Sequence, residues 1–178
     1  MHKKTLPTLF LLGLLSACAS TPPAPLRAVA EIRPTASAAA AGLAPMGAVS
    51  FVEIPGGKVH VDARVSGLKP NAEHGFHVHD VADCSGDGTK TAGHLNPDQH
   101  PHGHPGTEMR HAGAMFNLKT DASGVGVLSQ DVDTITLTPG KYGIVGKPVI
   151  VHRDADDYHS QPLGNAGPRI GCGIITAG

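Results

Sequence analysis

From His74 to Gly113 the chain reads HGFHVHDVADCSGDGTKTAGHLNPDQHPHGHPGTEMRHAG, and eight of its twelve histidines lie in that stretch. Such density asks for a fold that brings imidazoles together. Neutral imidazole binds copper and zinc well, and a His-rich, carboxylate-poor site points to those two metals. The run Phe76-His77-Val78-His79 alternates apolar and imidazole side chains. On a strand, alternate residues share a face, so both rings would point to one side, with Phe76 and Val78 on the other. The run His100-Pro101-His102-Gly103-His104 has two readings, part of a built site or a flexible metal-scavenging tract.

The rest of the chain favours short strands around such a site. Its 178 residues predict one main domain with length enough for a core. Tryptophan is absent while 23 glycines and 15 prolines punctuate the chain, so the core would be Val, Ile, Leu and Ala between many turns. Lys58–Ser66 is the cleanest strand, with Val59, Val61, Ala63 and Val65 facing a core and His60, Asp62, Arg64 and Ser66 facing water. Further strands are expected at 28–32, 49–54, 114–118, 124–129, 141–145, 149–152 and 170–175. Residues 36–42 read as a mobile loop or a helical turn. The expected fold is all-β, an antiparallel Greek-key sandwich or flattened barrel of about eight strands with long metal-binding loops. A formal net charge of -1 gives no reason to expect a nucleic-acid partner.

The first residues read as an address. Lys3 and Lys4 precede the apolar run Leu9–Leu15, which is too short for a membrane span, and residues 1–17 make a secretory signal. Leu15-Ser16-Ala17-Cys18 resembles a bacterial lipobox, which would make Cys18 the lipid-bearing first residue of the mature protein. Residues 18–26 would then be a lipidated cysteine and a Pro-rich tether, and 27–178 the domain. The expected location is the bacterial periplasm, on an outer-membrane lipid anchor. Setting Cys18 aside leaves Cys84 and Cys172, an even pair in an oxidising compartment. A bridge would tie the His-rich loop to the last strand and contribute roughly 4–5 kcal/mol at most. The alternative is two buried thiols.

Five motifs, taken in order, carry a family resemblance: Gly75-Phe76-His77-Val78-His79, Ala92-Gly93-His94-Leu95-Asn96-Pro97, Arg110-His111-Ala112-Gly113, Val149-Ile150-Val151-His152 and Gly164-Asn165-Ala166-Gly167-Pro168-Arg169-Ile170-Gly171-Cys172-Gly173. Together they resemble the copper/zinc superoxide dismutases of the bacterial envelope. The resemblance implies copper on His77, His79, His94 and His152, with His94 bridging to zinc. It implies His102 and His111 as further zinc ligands and Asp156 as the carboxylate linking the two sites. Arg169 would be the guanidinium beside copper, and Cys84–Cys172 a disulfide. His94 and Arg169 would be catalytic, with copper redox-cycling between two superoxide anions while His94 relays a proton. Lys90, Lys141 and Lys147 are candidate steering charges. Relatives by resemblance include dimers, so a homodimer is an expectation too.

One position departs from the pattern. The family continues the zinc motif as His-x-Gly-Asp with the aspartate as fourth ligand, and here Ala114 stands in its place. The zinc site would lose a ligand and its negative charge. His104 is the favoured replacement, with His100, Glu108 and Asp98 as other nearby donors. The competing function is a non-enzymatic protein that stores or passes copper or zinc through the His100–His104 tract.

Overall fold

The computed structural model describes residues 23–178. Strands β1 (Arg27–Pro34), β2 (Met46–Ile54) and β3 (Lys58–Ser66) come first, with a short helix α1 (Ala36–Ala40) between β1 and β2. There follow β4 (Glu73–His74), β5 (Phe76–Val78), a 3-10 turn (Thr89–Thr91), β6 (Leu118–Thr120), β7 (Gly126–Val132), β8 (Pro148–His152), β9 (Arg169–Ile174) and β10 (Thr176–Ala177). All the strand pairings are antiparallel, and the sheet order is β4-β6-β7-β3-β2-β1-β9-β8-β5, with β10 added on β1.

The two ends of that order are neighbours in sequence. β4 pairs with β6 and β5 pairs with β8, and Gly75 alone joins β4 to β5. The chain therefore closes the sheet into a nearly complete barrel by crossing from one end of the ladder to the other in a single residue. A side chain there would collide: a Cβ on Gly75 would lie 2.8 Å from Ala166 Cβ, with His77 and His152 atoms only slightly further off. The Gly75 carbonyl accepts from His152 N at 2.8 Å, and its N–H donates to Asp154 O at 2.8 Å.

Alternation sets the two faces. On β3, Val59, Val61, Ala63 and Val65 are buried while Lys58, Asp62, Arg64 and Ser66 are exposed. Ala28, Ala30 and Ile32 of β1 and Val49 and Phe51 of β2 complete that wall of the core. β5 and β8 differ, because every residue in them is buried. Phe76, Val78, Val149 and Val151 join the hydrophobic core. His77 and His152 belong to the opposite, loop-covered face. The barrel wall thus carries imidazoles on its outside, under the loops 79–117 and 153–168.

Two expected strands did not form. Only Leu118 of the first stretch is strand, opening β6; residues 114–117 spend their backbone on loop contacts, with Ala114 N donating to His111 O and an isolated bridge from Ala114 to His77. Residues 141–145 make a single bridge, Thr136 to Gly143, and the turn bond from Gly143 N to Gly140 O prevents extension. Residues 36–42 resolve as α1 and its turn. The signal segment and Cys18 lie outside the described residues.

Cys84 and Cys172 are bonded, with Cα atoms 5.7 Å apart, and fasten the His-rich loop to β9. The bridge fits an oxidising compartment.

Candidate metal centre

Six histidines converge on the outer face of the β5–β8 wall. Two groups can each place one ligand atom per residue within 4.8 Å of one another: His77, His79, His94 and His152, and then His94, His102 and His111. All six rings are buried, and His94 belongs to both groups.

The hydrogen bonds fix which ring nitrogens are available. His79 Nδ1 lies 3.1 Å from Ala92 O and His152 Nδ1 3.0 Å from Gly167 O. A carbonyl only accepts, so both Nδ1 atoms donate and both Nε2 atoms carry lone pairs. Those two Nε2 atoms face each other at 3.3 Å. Neither has a proton to offer the other, so the pair is repulsive unless a cation sits between them.

The same reasoning runs through Asp156. Its Oδ2 takes His77 Nε2 at 2.7 Å and its Oδ1 takes His102 Nε2 at 2.9 Å, leaving Nδ1 of each ring as a lone pair. Both Nδ1 atoms are buried without a partner, and so is Nε2 of His94. His111 Nδ1 meets His94 Nδ1 at 3.1 Å. His94 bonds no protein oxygen through its ring: Nδ1 meets only His111 Nδ1 and Nε2 has no partner, so one ring can serve both groups. Buried, unpaired nitrogens aimed at a common point fit metal ions by their donor chemistry.

Electrostatics keep these rings ready to bind. Burial lowers the His79 and His94 pKa values well below 6.5, and the neighbouring rings push them further the same way. Burial carries His152 down to about 3 and His111 to about 4. All are therefore neutral near pH 7. Burial alone would raise Asp156, but the His102 and His77 ring N–H groups outweigh it and hold the carboxylate below its usual range. Gly164 lets this loop close, since a Cβ there would sit 1.8 Å from Asp156 Oδ1.

Arg169 stands beside the first group. Its Nη2 donates to Ala92 O at 2.6 Å, the carbonyl that also receives His79. Burial lowers its pKa, yet a guanidinium starting above 12 stays charged. Arg169 and His152 line a cavity of about 410 Å³ shared with Asp87, Thr89, Leu163 and Asn165.

His104 does not reach the second group. It is exposed, packs edge-on against Phe116 and Tyr158, and its Nδ1 accepts from Gly106 N at 3.0 Å. The Pro105-Gly106 turn carries the ring away from the ion. Asp98 is held by Lys141 and Tyr142, so it too is engaged elsewhere. The expected tract His100-His102-His104 is therefore split, with only His102 facing the cluster. The steering lysines are also paired: Lys90 with Asp83 at 3.9 Å, Lys147 with Asp80 at 2.6 Å and Lys141 with Asp98.

Three amide side chains were missed in the sequence. Asn117 receives Asp156 N at 3.0 Å and donates to Asp156 O at 3.0 Å. Gln161 likewise receives His102 N and donates to His102 O, each at 2.8 Å. Asn96 does the same for His100. Asn117 and Gln161 thus clamp both backbone groups of a residue in the metal network, and Asn96 those of His100 in the loop beside it. Asn and Gln are ordinary surface residues in a loop, so no local signal marks them.

The family model described as copper/zinc superoxide dismutase (SODC) matches residues 46–175. A superoxide dismutase [Cu-Zn] of Paramecium bursaria Chlorella virus 1 is 40% identical over 135 residues, covering 72% of this chain and 71% of that protein. Superoxide dismutase [Cu-Zn] 3 of Arabidopsis thaliana is also 40% identical, over 72% of this chain and 81% of that protein. An extracellular superoxide dismutase [Cu-Zn] of Drosophila melanogaster is 40% identical over 136 residues, 72% and 74% of the two chains. Among solved structures, the clock protein EA4 superposes with a TM-score of 0.75 at 36% identity, over 88% of this chain and 98% of that one.

Proposed function

The chain belongs to the copper/zinc superoxide dismutase family and is a superoxide dismutase that uses copper and zinc, and we propose how its own residues serve that reaction. His77 Nδ1 and the Nε2 atoms of His79, His94 and His152 would hold copper. His94, His102 and His111 would hold zinc. Copper bound there supplies the one-electron chemistry that takes an electron from one superoxide and gives it to a second, while zinc has no redox chemistry of its own.

Two superoxide anions and two protons give one dioxygen and one hydrogen peroxide. Arg169, charged at any working pH, draws the anion into the cavity and orients it. His94 Nε2, buried and engaged by no protein group, would take up one proton when it is not holding copper and return it to the departing peroxide; the other comes from water. Asp156 holds His77 and His102 in the tautomers that leave their Nδ1 lone pairs free.

The observation that carries this reading is the 3.3 Å approach of two lone-pair nitrogens, His79 Nε2 and His152 Nε2, beside the orphaned nitrogens of His77 and His94. The test is the rate of superoxide consumption by the copper-loaded protein, with and without added zinc. A fast rate supports the reading, and a rate no higher than that of free copper overturns it.

The zinc side is a three-histidine site, because Ala114 occupies the position of the family's zinc aspartate and the second cluster contains no carboxylate among the described residues. Water or another small ligand takes fourth place. Zinc is consequently held more weakly than copper. The export signal, the Cys18 lipobox and the Cys84–Cys172 bridge support a lipid-anchored enzyme of the bacterial envelope. Mass spectrometry of the mature N-terminus checks the anchor, since an unmodified Cys18 would overturn it.

A further inference from the structure

The cavity beside the first histidine group contains an ionic opposition that the reaction does not require. Of the residues lining it, Asp87 and Arg169 are the two that carry charge near neutral pH, since burial holds His152 neutral. Arg169 is half-buried while Asp87 is exposed, so the carboxylate stands at the solvent end and the guanidinium further in. Among the described residues no lysine lines the cavity, and Lys90, next to Thr89 in the chain, is turned to Asp83 and Ser85. An anion moving toward Arg169 therefore meets Asp87 first.

Asp87 is held there by construction. Its Oδ1 accepts from Thr89 N at 3.0 Å and from Thr89 Oγ1 at 2.6 Å. Its carbonyl accepts from Ser37 Oγ of α1 at 3.2 Å, and Ala36 N donates to Gly86 O at 2.8 Å. The next residue packs on the guanidinium's own stem: a Cβ on Gly88 would lie 3.0 Å from Arg169 Cβ. Thr35, just before α1, donates from Oγ1 to Arg169 O at 2.5 Å. The β1–β2 connection thus braces the carboxylate and the arginine together, as a fixed pair rather than two mobile surface charges.

We propose that Asp87 is a selectivity residue of the copper cavity, whose carboxylate opposes Arg169 at the solvent end and sorts anions by charge, favouring monovalent superoxide over divalent oxyanions such as hydrogen phosphate. The inference rests on the copper reading of the His77–His152 group. A fixed charge multiplies the local concentration of a monoanion by some factor and that of a dianion by its square. Asp87 therefore costs the enzyme some rate with its own substrate and excludes a competitor more strongly. Arg169, set deeper, still captures the small anion that passes.

The test compares the copper-loaded wild type with Asp87→Asn, whose Oδ1 can still accept from Thr89. At low ionic strength kcat/KM for superoxide should rise about twofold, and inhibition by inorganic phosphate above its second pKa should tighten about fourfold. Equilibrium titration with azide and with phosphate, read from the visible absorption of bound Cu(II), should show the same pair of factors without turnover. Both differences should shrink once salt shortens the screening length to about 8 Å or less. Asp87→Glu should restore the wild-type ratios. Thr89→Ala, which weakens the turn and keeps the charge, should leave them unchanged.

Equal tightening for azide and phosphate, or no change for either, would overturn the proposal while leaving the dismutase intact. A change reproduced by Thr89→Ala would overturn it too, making Asp87 a turn cap only. A wild type without dismutation would overturn both this proposal and the copper reading beneath it.

Discussion

The two halves of the centre are built from different materials. On the copper side, His77 lies within β5 and His152 ends β8, two strands hydrogen-bonded in register with His77 opposite Ile150. On the zinc side, His102 and His111 both come from a long loop, steadied by Gln161 and Asn96 rather than by a ladder. A barrel wall whose inner face packs in the core fixes where an imidazole leaves the backbone, and Asp156 and the Gly167 carbonyl then orient the rings of His77 and His152. A loop needs each backbone group satisfied individually, and its position is only as firm as those bonds. On the proposed reading the copper side has four nitrogens, whereas the zinc side has three histidines and, among the described residues, no carboxylate in its cluster. Two of the first group's four histidines, His77 and His152, have strand support, while His79 and His94 share the loop origin of His102 and His111.

Breaking the strong side should have the largest effect. His79→Ala removes one of the two facing nitrogens, and superoxide turnover should fall at least about 100-fold with copper lost on dialysis. Residual activity above a tenth of wild type would mean that copper sits elsewhere. Sharpening the weak side should come next. Ala114→Asp should raise zinc affinity by about 10–100-fold and leave copper affinity unchanged, as measured by competition with a chelator. No gain in zinc affinity would show that Ala114 does not face the ion.

A smaller effect should come from the loop clamp. Gln161→Leu unties His102 N and O, and zinc should dissociate about tenfold faster with little change in copper retention. Equal loss of both metals would erase the distinction between wall and loop.

The smallest effect concerns the metal-free protein. Its buried rings stay neutral while the unfolded chain protonates them below 6.5, so their stabilisation is complete above that pH. It is lost as pH falls toward about 3, the value to which burial carries His152. Asp156 acts in the same direction below its ordinary value of 3.8. Between about pH 7 and 5 the melting temperature should drop by about 4–8 °C for each ring that stays neutral, since each loses about 2 kcal/mol and 1 kcal/mol corresponds to roughly 2–4 °C at this size. A flat profile would mean that the apo rings open to solvent.

The fold was legible where one face is water and the other is core. β3 followed its alternation residue by residue, because nothing but burial acts on it. Residues 114–118 and 141–145 look like strands for the same reason, yet, Leu118 apart, their backbone is spent on loop closure. That His77 and His79 share a face was legible from strand alternation, whereas their convergence with His94 and His152 was implied only by the family resemblance of the motifs around them. His104 looked available because it is two residues from His102, but the turn at Pro105-Gly106 sends its ring outward onto Phe116 and Tyr158. The lysines offered for steering could not be separated from their aspartate partners, which lie far off in sequence for Lys141 and Lys147. Gln161 stayed hidden for a related reason: its partner is 59 residues away and carries no pattern that reveals the pairing.

The most direct measurement loads the protein with both metals, dialyses it against a moderate chelator, and follows copper content, zinc content and superoxide turnover together at neutral pH. Copper and most of the turnover should remain while zinc leaves first. Zinc retained as firmly as copper would contradict the three-histidine site, and turnover lost while copper stays bound would contradict the copper side as the seat of the reaction.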